Sequence, residues 1–248
     1  MVHVAVLVAA LGLVPKVVVP TSTHATIVAA DGLTLAADVF AAGPSDAPVI
    51  LLFHQAGSSK AEYAPIAPRL ALAGFRTIAI DQRSGGDLYA PPNSTVAARG
   101  RSAPYLDVLR DIDATVTYAR RAFPAAPVYL WGSSYSASLA IVYASRHPRG
   151  VAAVLAFSPG EYFTDKRLVR RAARGLRMPV FIDSANDPAE IRAAREIGDA
   201  TRSRQRVRFV PHAGVHGSST LRDDRDAAGA AENWDAVFAF LTRVRSGG

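Results

Sequence analysis

The chain has 248 residues, half of them hydrophobic and a fifth charged, which suits one sizeable α/β domain and excludes a largely disordered protein. Lys and Arg number 28 against 21 Asp and Glu, a formal charge of +7, and there is no cysteine. A thiolate nucleophile, a disulfide framework and a cysteine-ligated metal are therefore excluded. The basic excess gathers at Lys166 to Arg177 and Arg202 to Arg208. Arg167, Arg170, Arg171 and Arg174 recur at three- and four-residue steps, the pattern of one solvated helix face. Few aromatics interleave with them, so no base-stacking platform and no nucleic-acid partner is expected.

In chain order, Val4 to Val14 is an apolar run of signal-peptide length, too short for a membrane span of about 20 apolar residues. Residues 1–25 read as an export segment, with Thr23-His24-Ala25 as a loose cleavage site and a periplasmic or secreted location. A cytoplasmic chain with an extra strand is the alternative. The folded domain is then 26–248. Thr26 to Ala30 and Leu33 to Phe40 read as strands around the hairpin signal Asp31-Gly32. Strand and helix then alternate: strand Val49 to Phe53, helix Lys60 to Ala73, strand Arg76 to Ile80 and a long loop Asp81 to Pro104. Helix Tyr105 to Phe123, strand Val128 to Trp131, helix Ser134 to Arg146 and strand Val151 to Phe157 follow. The remainder reads as helix Phe163 to Gly175, strand Val180 to Ile182, helix Ala189 to Ala200, strand Val207 to Val210 and helix Ala231 to Val244. This predicts a doubly wound, mostly parallel sheet with a leading antiparallel hairpin and catalytic groups at the carboxyl ends of its strands.

Between a buried strand and a helix stands Gly132-Ser133-Ser134-Tyr135-Ser136. A serine two residues after a glycine, on a strand-to-helix turn, has the form of a nucleophile elbow. The turn lifts the hydroxyl above the sheet and the helix N-terminus offers N–H groups to a developing oxyanion. Ser136 takes the place of the motif's second glycine. Earlier, strand Leu51-Leu52-Phe53 runs into His54-Gln55-Ala56-Gly57. With these two elements the chain from about Thr26 to the last helix resembles the α/β-hydrolase fold serine hydrolases, nearer the dienelactone-hydrolase-like and small esterase members than the large lidded lipases.

The resemblance implies a nucleophile at Ser134 and oxyanion N–H groups from Tyr135 and from either Gln55 or Ala56. His54 would brace the loop or wall the pocket. The family's order of serine, acid, histidine points to His216 in His216-Gly217 as the base, with His212 as its rival. For the acid, Asp187 in Asn186-Asp187-Pro188 is chosen over Asp183 and over Glu161, whose other roles are pocket wall or loop anchor. Asp81 and Arg83 are expected to pair, and Asp107, Asp111 and Asp113 to be solvated or to serve the helix dipole. The implied chemistry is acyl transfer through Ser134 on a small carboxylic ester or lactone, with neither metal nor organic cofactor. No large lid domain is expected, because only Ser158 to Met178 separates two strands. A peptidase or amidase on the same fold, and a non-catalytic binding module, are the alternatives.

Overall fold

The computed structural model describes residues 20–41 and 43–247, and eight strands form one sheet. The antiparallel hairpin of β1 (Thr23–Val28) and β2 (Thr34–Phe40) leads the chain, and β2 pairs antiparallel with β4 (Arg76–Ile80). From β4 onward all neighbours are parallel: β3 (Val49–Phe53), β5 (Val128–Ser133), β6 (Ala153–Phe157), β7 (Val180–Asp183) and β8 (Arg206–Arg208). The spatial order is β1-β2-β4-β3-β5-β6-β7-β8. The direction of winding reverses between β3 and β5, which opens a crevice at their carboxyl ends.

The central strands are buried on both faces, as their continuous apolar runs predict. Val49, Leu51 and Phe53 of β3 face one core cluster and Ile50 and Leu52 the other, by the two-residue period of a strand. Trp131 stacks on Phe157 at 4.5 Å in the second cluster. The long runs read as single helices are divided. The first is a 3₁₀ turn, Lys60–Tyr63, and then α1 (Ile66–Leu72). Pro65 between them lacks an N–H and interrupts the ladder.

The Asp81 to Pro104 stretch is not wholly loop: α2 (Ser94–Arg99) lies in it, capped by the Asn93 side chain on Val96 N–H at 2.8 Å and ended by Gly100 at φ 76°. Another 3₁₀ turn, Tyr105–Val108, precedes α3 (Leu109–Ala122). After α4 (Tyr135–Arg146) comes α5 (Leu168–Ala173), shorter than the Phe163 to Gly175 helix expected. Its arginines face outward, Arg171 to Asp165 and Arg170 to Glu196, as a solvated face would. The chain closes with α6 (Pro188–Ala200), a 3₁₀ turn Gly217–Leu221 and α7 (Ala230–Arg245).

One expected pairing and one expected solvation are corrected. Asp81 does not pair with Arg83; its carboxylate accepts from the N–H of Lys60 and from the N–H and hydroxyl of Ser94, tying α1's entrance turn to α2. Asp111 is not solvated but wholly buried, accepting from Arg83 Nε at 2.7 Å and Arg83 N–H at 2.8 Å. Most of the expected export segment, residues 1–19, lies outside the described residues. Thr23, His24 and Ala25 belong to β1, paired with Val39, Asp38 and Ala37. Among the described residues no helix is long and apolar enough to cross a membrane.

Candidate active site

The end of β5 turns sharply into α4 through Ser134, whose backbone is held at φ 60°, ψ −124°. A non-glycine residue there is strained and persists only where its surroundings enforce it. The enforcement is visible. Ser134 N–H donates to Phe157 carbonyl at 2.8 Å, and a Cβ on Gly132 would fall 2.4 Å from the backbone of Ser136 and Ala137. Ser136 fits the second-glycine position because its hydroxyl donates to the His54 carbonyl at 2.7 Å and accepts from Gln82 Nε2 at 3.0 Å.

His216 lies in the loop before the last 3₁₀ turn, half-exposed, with Nδ1 2.7 Å from Glu190 Oε1. With its Nδ1 proton given to Glu190, Nε2 carries the lone pair. The next two residues anchor this loop against the elbow. Gly217 abuts Ser133, where an added Cβ would meet Ser133 Oγ at 2.3 Å, and Ser218 N–H donates to that oxygen at 2.8 Å. Trp131 Nε1 holds Ser218 Oγ at 2.9 Å. No direct hydrogen bond joins Ser134 to His216 in this structure. Their neighbours along the chain hold the two loops together.

The expectation for Asp187 as the histidine's partner is corrected. Asp187 is the exposed N-cap of α6, its carboxylate accepting from Ala189 N–H at 2.9 Å and Glu190 N–H at 3.0 Å. Glu190, one helical turn on, reaches His216 instead. Burial pushes its acidity weaker, but hydrogen bonds from His216, Ser158 and the Ala185 N–H outweigh that and hold its pKa below the usual glutamate value. Glu161 is a loop anchor, accepting from the N–H groups of Val169 and Arg170 at 2.9 Å each. Asp183 is buried at the end of β7, its carboxylate accepting Ser184 N–H at 2.8 Å, and has its pKa raised by desolvation. His212 is an exposed partner of Glu232.

Of the two expected oxyanion donors after β3, Gln55 is excluded because its N–H is spent on Glu62 Oε2 at 2.8 Å. The N–H groups of Ala56 and Tyr135 have no partner among the described residues. His54 is no pocket wall. It is wholly buried, bonding Gln55 carbonyl through Nδ1 and accepting Gln82 N–H at Nε2, and burial pulls its pKa down to about 4 so that it remains a neutral brace.

Three further side chains join the site without a sequence signal strong enough to single them out. Ser158, at φ 53°, accepts Gly217 N–H at 2.9 Å on its hydroxyl and acts on the Glu190 carboxylate. Tyr162 donates to Ser158 carbonyl at 2.8 Å, and the Ser134 side chain acts on its phenol. Its phenol is pushed up to about 12, chiefly by burial, and stays neutral. Glu62 is the third. The Glu190 signal was present in Asp187-Pro188-Ala189-Glu190, an N-cap followed three residues later by glutamate, but it reads first as a capping box.

Solved structures share this architecture. An esterase of Pyrococcus furiosus superposes with a TM-score of 0.69 at 17% identity, over 94% of this chain and 96% of that one. Est1E from Butyrivibrio proteoclasticus, solved with ferulic acid bound, gives 0.69 at 16% identity, over 90% and 100%. A dienelactone hydrolase from Anabaena variabilis gives 0.62 at 16%, over 77% and 85%. Among curated proteins, none matches the chain. The fold is thus the expected α/β-hydrolase fold, similar in layout to esterases and dienelactone hydrolases. The profile described as serine aminopeptidase, S33, a hydrolase family, matches residues 44–209, about two-thirds of the chain. The chain belongs to that family.

Proposed function

We propose that this protein is a serine hydrolase of small carboxylic esters or lactones, acting through an acyl-enzyme on Ser134 with His216 as base and Glu190 as the acid that orients it. The observation that carries the reading is the 2.7 Å His216–Glu190 bond on a loop packed against the strained Ser134 elbow. His216 Nε2 takes the Ser134 proton as the hydroxyl attacks the ester carbonyl, and Glu190 stabilises the imidazolium. The carbonyl oxygen becomes an oxyanion facing the unpartnered N–H groups of Ala56 and Tyr135, each worth on the order of 3 kcal/mol in the barrier. His216 returns the proton to the leaving alcohol, and the same base then activates water to release the acid.

An ester is favoured by the structural neighbours, an esterase and a dienelactone hydrolase among them, and by the short Ser158 to Arg167 connection, which builds no lid. Amide hydrolysis is the second reading, favoured by the family's description. It would ask for an acidic group to receive a substrate ammonium, yet Glu62 and Glu190 already serve protein donors.

Fluorophosphonate labelling with the modified peptide located by mass spectrometry tests the mechanism. Ser134 is expected to be modified in the wild type and at least about 100-fold more slowly in His216→Ala. Absence of labelling in the folded wild type would refute it. Parallel panels of short-chain p-nitrophenyl esters and aminoacyl amides then decide between the two substrate classes.

A further inference from the structure

Glu62, in the turn Lys60–Tyr63, is fully buried yet carries a carboxylate that the acyl-transfer steps do not use. Each hydrogen bond to its carboxylate among the described residues comes from an N–H or O–H donor. Oε2 accepts Gln55 N–H at 2.8 Å, and Oε1 accepts the Ser133 hydroxyl at 2.7 Å and Gln55 Nε2 at 3.2 Å. Ser133 Oγ in turn accepts Ser218 N–H, two residues past His216, and Gln55 Nε2 also reaches Ser219 Oγ at 2.8 Å. One carboxylate thus joins the loop after β3, the elbow after β5 and the histidine loop.

We propose that Glu62 is a positioning residue of this site, its buried carboxylate locking the oxyanion loop and the nucleophile elbow in register with the histidine loop. The role rests on the Ser134–His216 reading above. It has a definite local consequence. Glu62 consumes the Gln55 N–H and so leaves the Ala56 N–H as the donor without a partner among the described residues. The partners are all N–H or O–H groups, so the ionised form fits them and a neutral acid would bring a surplus proton into the cluster.

A buried charge is costly, and an amide of the same shape would anchor a loop more cheaply. The charge itself has an addressee in His216, to which Glu62 is electrostatically coupled and which becomes cationic during turnover. The other charged or titratable groups facing Glu62 are Arg222, which binds the carbonyls of Ala61 and Glu62 at 3.0 and 2.9 Å, and the phenols of Tyr63 and Tyr89. Burial raises the Glu62 carboxyl to about 7, so its ionisation falls near neutral pH.

The test compares wild type, Glu62→Gln and Ser133→Ala by ester kinetics across pH 5 to 9, by the rate of fluorophosphonate labelling of Ser134, and by thermal unfolding. Glu62→Gln is expected to lower kcat and the labelling rate by about 10- to 100-fold with KM within about twofold, since small displacements of the reacting groups are expensive. Its acid limb of kcat/KM should move to lower pH by about half a unit or more, because a titrating carboxylate has been removed. Ser133→Ala, which deletes the hydroxyl relay but keeps Glu62, should lower kcat about fivefold or more at little cost in Tm. A folded Glu62→Gln with wild-type kcat and pH profile, or with a loss confined to KM or Tm, overturns the role. If Glu62→Gln does not fold, wild-type kcat in Ser133→Ala overturns it. A wild type that neither labels nor turns over esters removes the parent reading and this role with it, whereas an active wild type beside an indifferent Glu62→Gln removes the role alone.

Discussion

At the scale of single residues, Asp187 and Glu190 show how the same chemical group acquires different work from its reach. Asp187 has one methylene and sits at the N-cap, so its oxygens meet the N–H groups of its own helix. Glu190 stands one turn further with a longer stem and crosses to His216 on another loop. The proposed assignment separates the two experimentally. Glu190→Gln should lower kcat by about 10⁴-fold, as loss of the orienting carboxylate does in such triads. Asp187→Ala should leave kcat within about threefold and cost about 1 kcal/mol of stability, the worth of an N-cap. Ester kinetics with urea unfolding of both variants check this, and an inactive Asp187→Ala beside an active Glu190→Gln would reverse the assignment.

Among the elements, the buried cation Arg83 connects three pieces distant in sequence. It leaves the end of β4, meets Asp111 on α3, and reaches Asp31 in the β1–β2 connection at 2.6 Å. Arg83 is only 4% exposed, so its charge depends on these carboxylates. Asp111→Ala removes the buried partner and is expected to destabilise the fold by about 3 kcal/mol, the usual cost of leaving a buried charge incompletely paired. Urea denaturation measures this, and a change below about 1 kcal/mol would show that Asp31 alone suffices. The spacing of acids from Asp107 to Asp113 gave no hint of it. Asp107, Asp111 and Asp113 look alike in the sequence, and only the approach of Arg83, from the loop after β4, distinguishes Asp111. The divided helices had readable causes: Pro65 breaks the first, and Asn93 with Gly100 marks the ends of α2 inside what composition presents as loop.

For the whole molecule, Glu62 links stability to pH in a direction opposite to the usual paired carboxylate. Its folded pKa of about 7 lies above the ordinary 4.5, so the folded chain keeps a proton that the unfolded chain releases. Stability from this group is therefore greatest at or below about pH 4.5, falls as pH rises to about 7, and stays lower beyond. At about 1.4 kcal/mol per unit the difference is about 3 kcal/mol. Glu62→Gln lacks this dependence, so its stability relative to wild type should rise by about that amount between pH 4.5 and 8 in parallel denaturation curves. A gap that does not widen with pH would show the carboxylate to be ordinarily acidic in the fold. The proposed function then requires the ionised form that stability disfavours, a cost of the kind found where buried groups serve a site.

The sequence by itself determined the alternation of elements, the mostly parallel sheet with its leading hairpin, the elbow at Ser134 and the histidine loop carrying His216. These are local matters: apolar runs of strand length, glycine where a turn is crowded, and a motif whose residues are chain neighbours. Tertiary structure alone decided that Glu190 rather than Asp187 meets His216, that the Gln55 N–H is taken and the Ala56 N–H is not, and that Glu62, Ser133 and Ser218 form one knot. Those choices depend on which side chain spans the few ångströms between loops far apart in sequence. Such distances are set by the packing of β3, β5, β6 and β7 side by side and have no trace in the spacing of residues along the chain.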